Sequence, residues 1–113
     1  MERILVVEDE MLVAMLIVDI LDDLGFETLG PAMRLETALE YASGADFDFA
    51  ILDINLAGKH SFPVAEKLKE RRIPFIFASG YGRSGLVEPY LDIPVLQKPF
   101  DADAIVRLLP GAG

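Results

Sequence analysis

Three observations predict a doubly wound α/β fold, a five-stranded parallel sheet covered by helices on both faces. Short apolar, β-branched runs alternate five times with stretches of helical periodicity, and each crossover of that kind returns a helix to one side of a parallel sheet. The first and third runs are the long apolar ones, which places them in the middle of the sheet. The 113 residues fit one domain, 1–113, with no length left for a second.

The elements follow in order. Ile4-Leu5-Val6-Val7 is a buried first strand that stops at Glu8-Asp9-Glu10. Leu12, Val13, Leu16, Ile17, Ile20 and Leu24 then recur at helical spacing until Gly25, a helix stop. Phe26 to Leu29 is a short second strand ended by Gly30-Pro31, and Leu35, Ala38, Leu39 and Ala42 mark the second helix. Phe49 to Asp53 is the third strand, set in the run Phe49-Ala50-Ile51-Leu52-Asp53-Ile54-Asn55-Leu56. After the loop Ala57 to Ser61, a third helix runs from Pro63 to Arg71, with proline suited to its first turn.

Pro74 to Ala78 is the fourth strand, followed by Ser79-Gly80-Tyr81-Gly82. The fourth helix, within Arg83 to Leu91, carries Gly85 and Pro89 and is expected to be short or mobile. Pro94 to Leu96 is the fifth strand, Lys98-Pro99 a turn, and Asp101 to Leu109 a last helix capped by Asp101. The pattern favours a flavodoxin-like strand order, 2-1-3-4-5, with a ligand crevice between the carboxyl ends of strands 1 and 3.

A net charge of −9 and a pI near 4.4 argue against a fold that grips nucleic-acid phosphates and suit cations or partners with basic patches. Without cysteine there is neither a disulfide framework nor a thiolate metal site. The longest apolar run, Met11 to Val18, falls far short of the roughly 20 residues that cross a bilayer, and its acidic flank is wrong for a signal peptide. A soluble, cytoplasmic chain that does not engage membranes is expected.

Glu8, Asp9 and Asp53 would converge on the crevice. Alone, Asp53 could be a metal ligand, a nucleophile or the cap of the next loop. Three crowded carboxylates repel one another, and a divalent cation of hard-oxygen preference relieves them; Mg²⁺ fits best. An Asp oxygen beside such a cation can attack a phosphoryl donor. Lys98 and Ser79, at the ends of strands 5 and 4, open onto the same face, although singly each has a plain reading as a turn lysine or a loop cap.

Taken together, these residues resemble the receiver domain of two-component response regulators along nearly the whole chain. The resemblance is carried by Glu8-Asp9 after Ile-Leu-Val-Val, Asp53 closing Ile-Leu-Asp, Ser79 in Phe-Ala-Ser-Gly and Lys98 in Lys-Pro-Phe. It implies that Asp53 is the phosphoacceptor, that Glu8, Asp9, Asp53 and the backbone carbonyl of Asn55 hold Mg²⁺, and that Ser79 and Lys98 bind the phosphoryl group. It also implies a cis Lys98-Pro99 bond.

Val95 stands where receivers usually carry an aromatic switch residue. Phe77-Ala78-Ser79-Gly80-Tyr81 is similar instead to the subgroup marked by Phe-Ala-Thr-Gly and a following aromatic, so Tyr81 and the Arg83 to Leu91 segment are expected to carry the response. Tyr81 is also a candidate modulator of phosphoryl lifetime.

If Leu12, Leu16 and Ile20 face the sheet, then Met11, Met15 and Val18 form an outer stripe on helix 1, which in this family docks the histidine kinase. His60, the one histidine, is read as a solvated side chain. The expected partners are a sensor histidine kinase or phosphotransfer protein and an unknown downstream protein, with homodimerisation left open.

A stand-alone switch is expected, not an enzyme, acting through protein contact or as a phosphate sink, since no output domain fits after Arg107. Two other classes compete. A Mg²⁺-dependent phosphatase of haloacid-dehalogenase type would need an Asp where Asn55 stands. A flavodoxin-like cofactor binder would need a phosphate-cradling loop where Glu8-Asp9-Glu10 stands.

Overall fold

In the computed structural model, residues 3–80 and 86–109 are described. Five parallel strands, β1 (Arg3–Val7), β2 (Glu27–Ala32), β3 (Phe49–Asp53), β6 (Phe75–Ser79) and β7 (Val95–Gln97), form a sheet of order β2-β1-β3-β6-β7. This is the expected flavodoxin-like order, with β6 and β7 as the fourth and fifth sequence-predicted strands. Helices α1 (Met11–Asp23), α2 (Leu35–Gly44), α3 (Phe62–Glu70) and α4 (Ala102–Leu108) cover it.

Every residue of β3 and β6 is buried, which explains their unbroken apolar character. Alternate side chains go to opposite faces. Leu5, Val7, Ala50, Leu52, Phe75 and Phe77 pack with Ala38 and Ala42 of α2 and Val64, Ala65 and Leu68 of α3. On the other face Ile4, Val6, Phe49, Ile51, Ile76 and Ala78 meet Ile17 and Leu21 of α1 and Ile105 of α4. Full burial of each large apolar side chain stabilises by about 1.5–3 kcal/mol, so the central strands anchor everything at their ends.

The sequence-predicted stops act as expected at two places. Gly25 takes φ +90° just beyond α1, a left-handed conformation that costs glycine nothing, and donates to Asp22 O at 3.0 Å. Asp101 caps α4 by accepting from Ala104 N at 2.9 Å.

Four features differ from expectation. First, β2 continues through Gly30-Pro31 to Ala32, because Gly30 at φ +98° lets this edge strand pass β1 where a Cβ would come within 2.9 Å of Val6 O. Second, the inner face of α1 is Ala14, Ile17, Ile20 and Leu21, while Leu12 is 87% and Leu16 45% exposed. The helix is apolar around most of its girth, so periodicity did not single out one stripe, and the small Ala14 takes the place given to the leucines.

Third, the loop after β3 contains a two-stranded hairpin, β4 (Asn55–Leu56) and β5 (Lys59–His60), turning through Ala57 and Gly58 with φ of 51° and 82°. Fourth, residues 86–91 form turns instead of a fourth helix, as suits a stretch containing Pro89; residues 83–85 lie outside the described residues. No helix among the described residues is long and apolar enough to cross a membrane.

Candidate functional site

Because the five strands run parallel, their carboxyl ends share one rim. Val7 pairs with Leu52, Asp53 with Ala78 and Ser79 with Gln97, so Glu8, Asp53, Ser79 and Lys98 arrive at nearly the same height. Backbone bonds hold that register beyond the strands. Glu8 N donates to Ala32 O at 3.0 Å, Ile54 N to Ala78 O at 3.1 Å, and Lys98 N to Ser79 O at 2.9 Å. The Lys98-Pro99 bond is cis, as expected.

One ammonium serves several carboxylates. Lys98 Nζ lies 2.8 Å from Glu8 Oε1, donates to Asp53 Oδ2 at 3.3 Å, and stands 3.8 Å from Glu10 Oε1. Glu8 is fully buried; its Oε2 accepts from Glu10 N at 3.1 Å. Its Oε1 faces the Lys98 ammonium at 2.8 Å. Asp9 Oδ2 accepts from Ala57 N at 2.9 Å, which ties the acidic loop to the β4–β5 hairpin. These groups surround a cavity of about 400 Å³ lined by Asp9, Glu10, Asp53, Asn55, Ser79 and Lys98.

The electrostatics follow from burial. Asp53 is 6% exposed, and desolvation, then the Glu8 carboxylate, pushes its carboxyl up to about 8 against the opposing pull of Lys98. Burial also works against the Lys98 ammonium, but the carboxylates of Glu8 and Asp53 outweigh it and raise its pKa. At Asp9 desolvation is outweighed by the Ala57 N–H and neighbouring hydrogen bonds, and the carboxyl is lowered.

Carboxylate oxygens of Glu8, Asp9, Glu10 and Asp53 lie within 4.8 Å of one another. Four carboxylates sharing one ammonium, all-oxygen ligands with no thiolate or imidazole among them, fit a hard divalent cation.

The structure thus brings together Glu8, Asp9, Asp53, Asn55, Ser79 and Lys98, as expected. Val95 is half-buried in β7 beside Phe77. On α1, Met11 and Met15 are exposed as expected, but Val18 is half-buried, so the outer stripe is completed by Leu12 and Leu16. Tyr81 lies outside the described residues. His60 is exposed on β5 and stacks on Phe62 at 5.4 Å.

Sequence reasoning missed three features of the site and its surroundings. Glu10 joins the carboxylate cluster, and the acidic run that includes it was the available signal. The Ala57 N–H is a backbone group with no side-chain signature. Tyr90 is buried, stacks on Phe62 at 5.2 Å, meets Phe77 edge-on at 5.8 Å and donates to Glu66 Oε1 at 2.6 Å. It fills the cluster that Val95 only borders.

Comparison with known proteins gives a consistent answer. Residues 4–109 match the family model described as the response regulator receiver domain. The sensory transduction protein LytT of Bacillus subtilis is 31% identical over 96% of the chain, which spans 47% of that relative. PdtaR of Mycobacterium tuberculosis is 28% identical over 92%, and the chain spans 53% of it. The chain therefore spans about half the length of these curated relatives.

Among solved structures, SdrG from Sphingomonas melonis superposes with a TM-score of 0.86 at 41% identity, covering 99% of this chain and 96% of that one. Its BeF3-activated conformation superposes at 0.79 and 40% identity, covering 95% and 96%. The phosphatase reading of the Asp53 strand falls away with these matches. A parallel sheet that gathers acids, a hydroxyl and a lysine on one rim, and a family match over almost every residue, agree that the chain belongs to the response regulator receiver domains, phosphorylation-dependent switches of two-component and phosphorelay signalling rather than enzymes.

Proposed function

We propose that Asp53 accepts a phosphoryl group from the phosphohistidine of a sensor histidine kinase or phosphotransfer protein. The observation that carries this reading is Lys98 Nζ poised 3.3 Å from Asp53 and 2.8 Å from Glu8 at the edge of the acidic cavity. An Asp53 oxygen attacks phosphorus as the donor nitrogen departs with the bonding electrons. Lys98, already at hand, pairs with the charge that arrives, and Ser79, which lines the same cavity, supplies a hydroxyl to the phosphoryl oxygens.

Glu8, Asp9, Asp53 and the backbone carbonyl of Asn55 would hold Mg²⁺, which when bound supplies neutralising charge to the phosphoryl oxygens. The BeF3-activated form of the similar SdrG supports a switch of this kind.

The response is carried by Tyr81 and the segment to Leu91, with Tyr90 standing in for the aromatic that Val95 is not. Amide exchange of residues 86–91 with and without BeF3⁻ tests this, and unchanged protection would remove it. The kinase docks on the exposed Met11, Leu12, Met15 and Leu16 side of α1.

The chain acts in the cytoplasm, by contact with a downstream protein or by draining phosphoryl groups from a shared kinase. Incubation with acetyl phosphate and Mg²⁺, followed by intact mass, should add one phosphoryl group to the parent chain and none to Asp53→Asn. Equal labelling of both would refute the assignment of Asp53.

A further inference from the structure

Glu10 is the one member of the carboxylate cluster that stands in solvent, its side chain 66% exposed, and it has no assigned part in the reaction. Its Oε1 lies 3.8 Å from Lys98 Nζ, close enough to feel that charge and too far to bond it well. It lines the acidic cavity and also the apolar pocket formed by Val13, Leu16, Pro99 and Phe100, so it stands on the ridge between the phosphorylation site and the exposed face of α1.

The formal charges around it are nearly balanced. Lys98 and one divalent cation held by the cluster would offset three of its four carboxylates, leaving one net negative charge at the mouth, where Glu10 is the exposed member. An anionic donor that enters the cavity comes within reach of that charge.

We infer that Glu10 is a donor-selecting residue, whose solvent-facing carboxylate disfavours small, highly charged phosphodonors. The inference rests on Asp53 being the phosphoacceptor. Ligand oxygens of Glu10 and Asp53 lie within 4.8 Å of each other; for a donor phosphorus beyond Asp53, roughly 7 Å from Glu10, unit charges in water change a rate by about threefold. The effect scales with donor charge and fades as the screening length falls to about 3 Å in 1 M salt.

The test compares Glu10→Gln and Glu10→Lys with the parent chain at pH 7, low ionic strength and saturating Mg²⁺. The two donors are acetyl phosphate, a dianion, and phosphoramidate, a monoanion. In each reaction an Asp53 oxygen forms the new O–P bond while the donor's P–O or P–N bond breaks, and acetate or ammonia leaves with the electron pair.

For Glu10→Gln the ratio of acetyl phosphate to phosphoramidate labelling rates should rise about threefold, and further for Glu10→Lys, with the gain lost in 1 M salt. Mg²⁺ affinity, measured by calorimetry, should fall at least threefold in the same variants. A disturbed site would slow labelling and weaken the cation together, whereas a lost charge moves the two in opposite directions. An unchanged donor ratio, or a ratio change that persists in 1 M salt, would overturn the inference. Parent chain that takes no label from either donor, or label that survives Asp53→Asn, would overturn the phosphoacceptor reading and this one with it.

Discussion

Replacing Asp53 by Asn should stabilise the metal-free fold, and by more at high pH than at low. Asp53 and Glu8 are buried side by side with Lys98 as their shared counterion. The unfolded chain releases the Asp53 proton near 3.8, whereas in the folded chain burial first, and Glu8 second, hold it to about 8. Between these values the unfolded state binds fewer protons than the folded one, so stability declines as pH rises through the window.

The whole shift corresponds to about 6 kcal/mol. Relaxation of Lys98 and Glu8 and entry of water into the cavity leave about 2 kcal/mol to be recovered by Asn at pH 8, and roughly a quarter of that at pH 5. In a domain of this size 2 kcal/mol raises Tm by about 10 °C. Urea unfolding followed by circular dichroism in EDTA at both pH values reads it directly. Saturating Mg²⁺, at about 100 times its Kd, should stabilise the parent by about 3 kcal/mol and close the gap. A gain of the same size at both pH values, or a loss, would refute the argument that two buried carboxylates sharing one counterion burden this site.

Three further outcomes follow from the same geometry. Lys98→Met should cost about 3 kcal/mol at pH 8, because it strands the fully buried Glu8 carboxylate; a loss below about 1 kcal/mol in the same unfolding assay would show that Lys98 is peripheral. Ala57→Asn should raise stability by about 0.5–1 kcal/mol, since Ala57 sits at φ 51° in a turn position that favours Asn, and a lowered urea midpoint would contradict this. Leu12→Ser should slow transfer from the kinase relative to labelling by acetyl phosphate, and an unchanged ratio would dismiss α1 as the docking face.

The parts of the fold that could be read from the sequence are those where a single physical demand governs composition. Residues 49–53 and 75–79 are buried on both faces, and nothing but apolar side chains satisfies that, except at the rim where Asp53 and Ser79 stand. Glu8, Asp53, Ser79 and Lys98 could be gathered on paper because a parallel sheet leaves little freedom in where strand ends go.

What escaped was governed by competition. On α1 more than one apolar stripe met the helical period, and the small side chain of Ala14 decided which lies on the sheet. The β4–β5 hairpin depends on a left-handed Ala57 that Asp9 holds through a backbone N–H, a bond with no signature in residue type. Tyr90 has its role only because Glu66 and Phe62, far away in sequence, meet it.

The central claim is that this rim turns Asp53 into an acyl phosphate, and the identity of the labelled residue tests it most directly. Trapping the Mg²⁺-dependent product with borohydride converts an aspartyl phosphate to homoserine, which peptide sequencing then locates. The structure predicts homoserine at position 53 alone. Label at Glu8, Asp9 or His60, or an acid-stable label on Ser79, would contradict it.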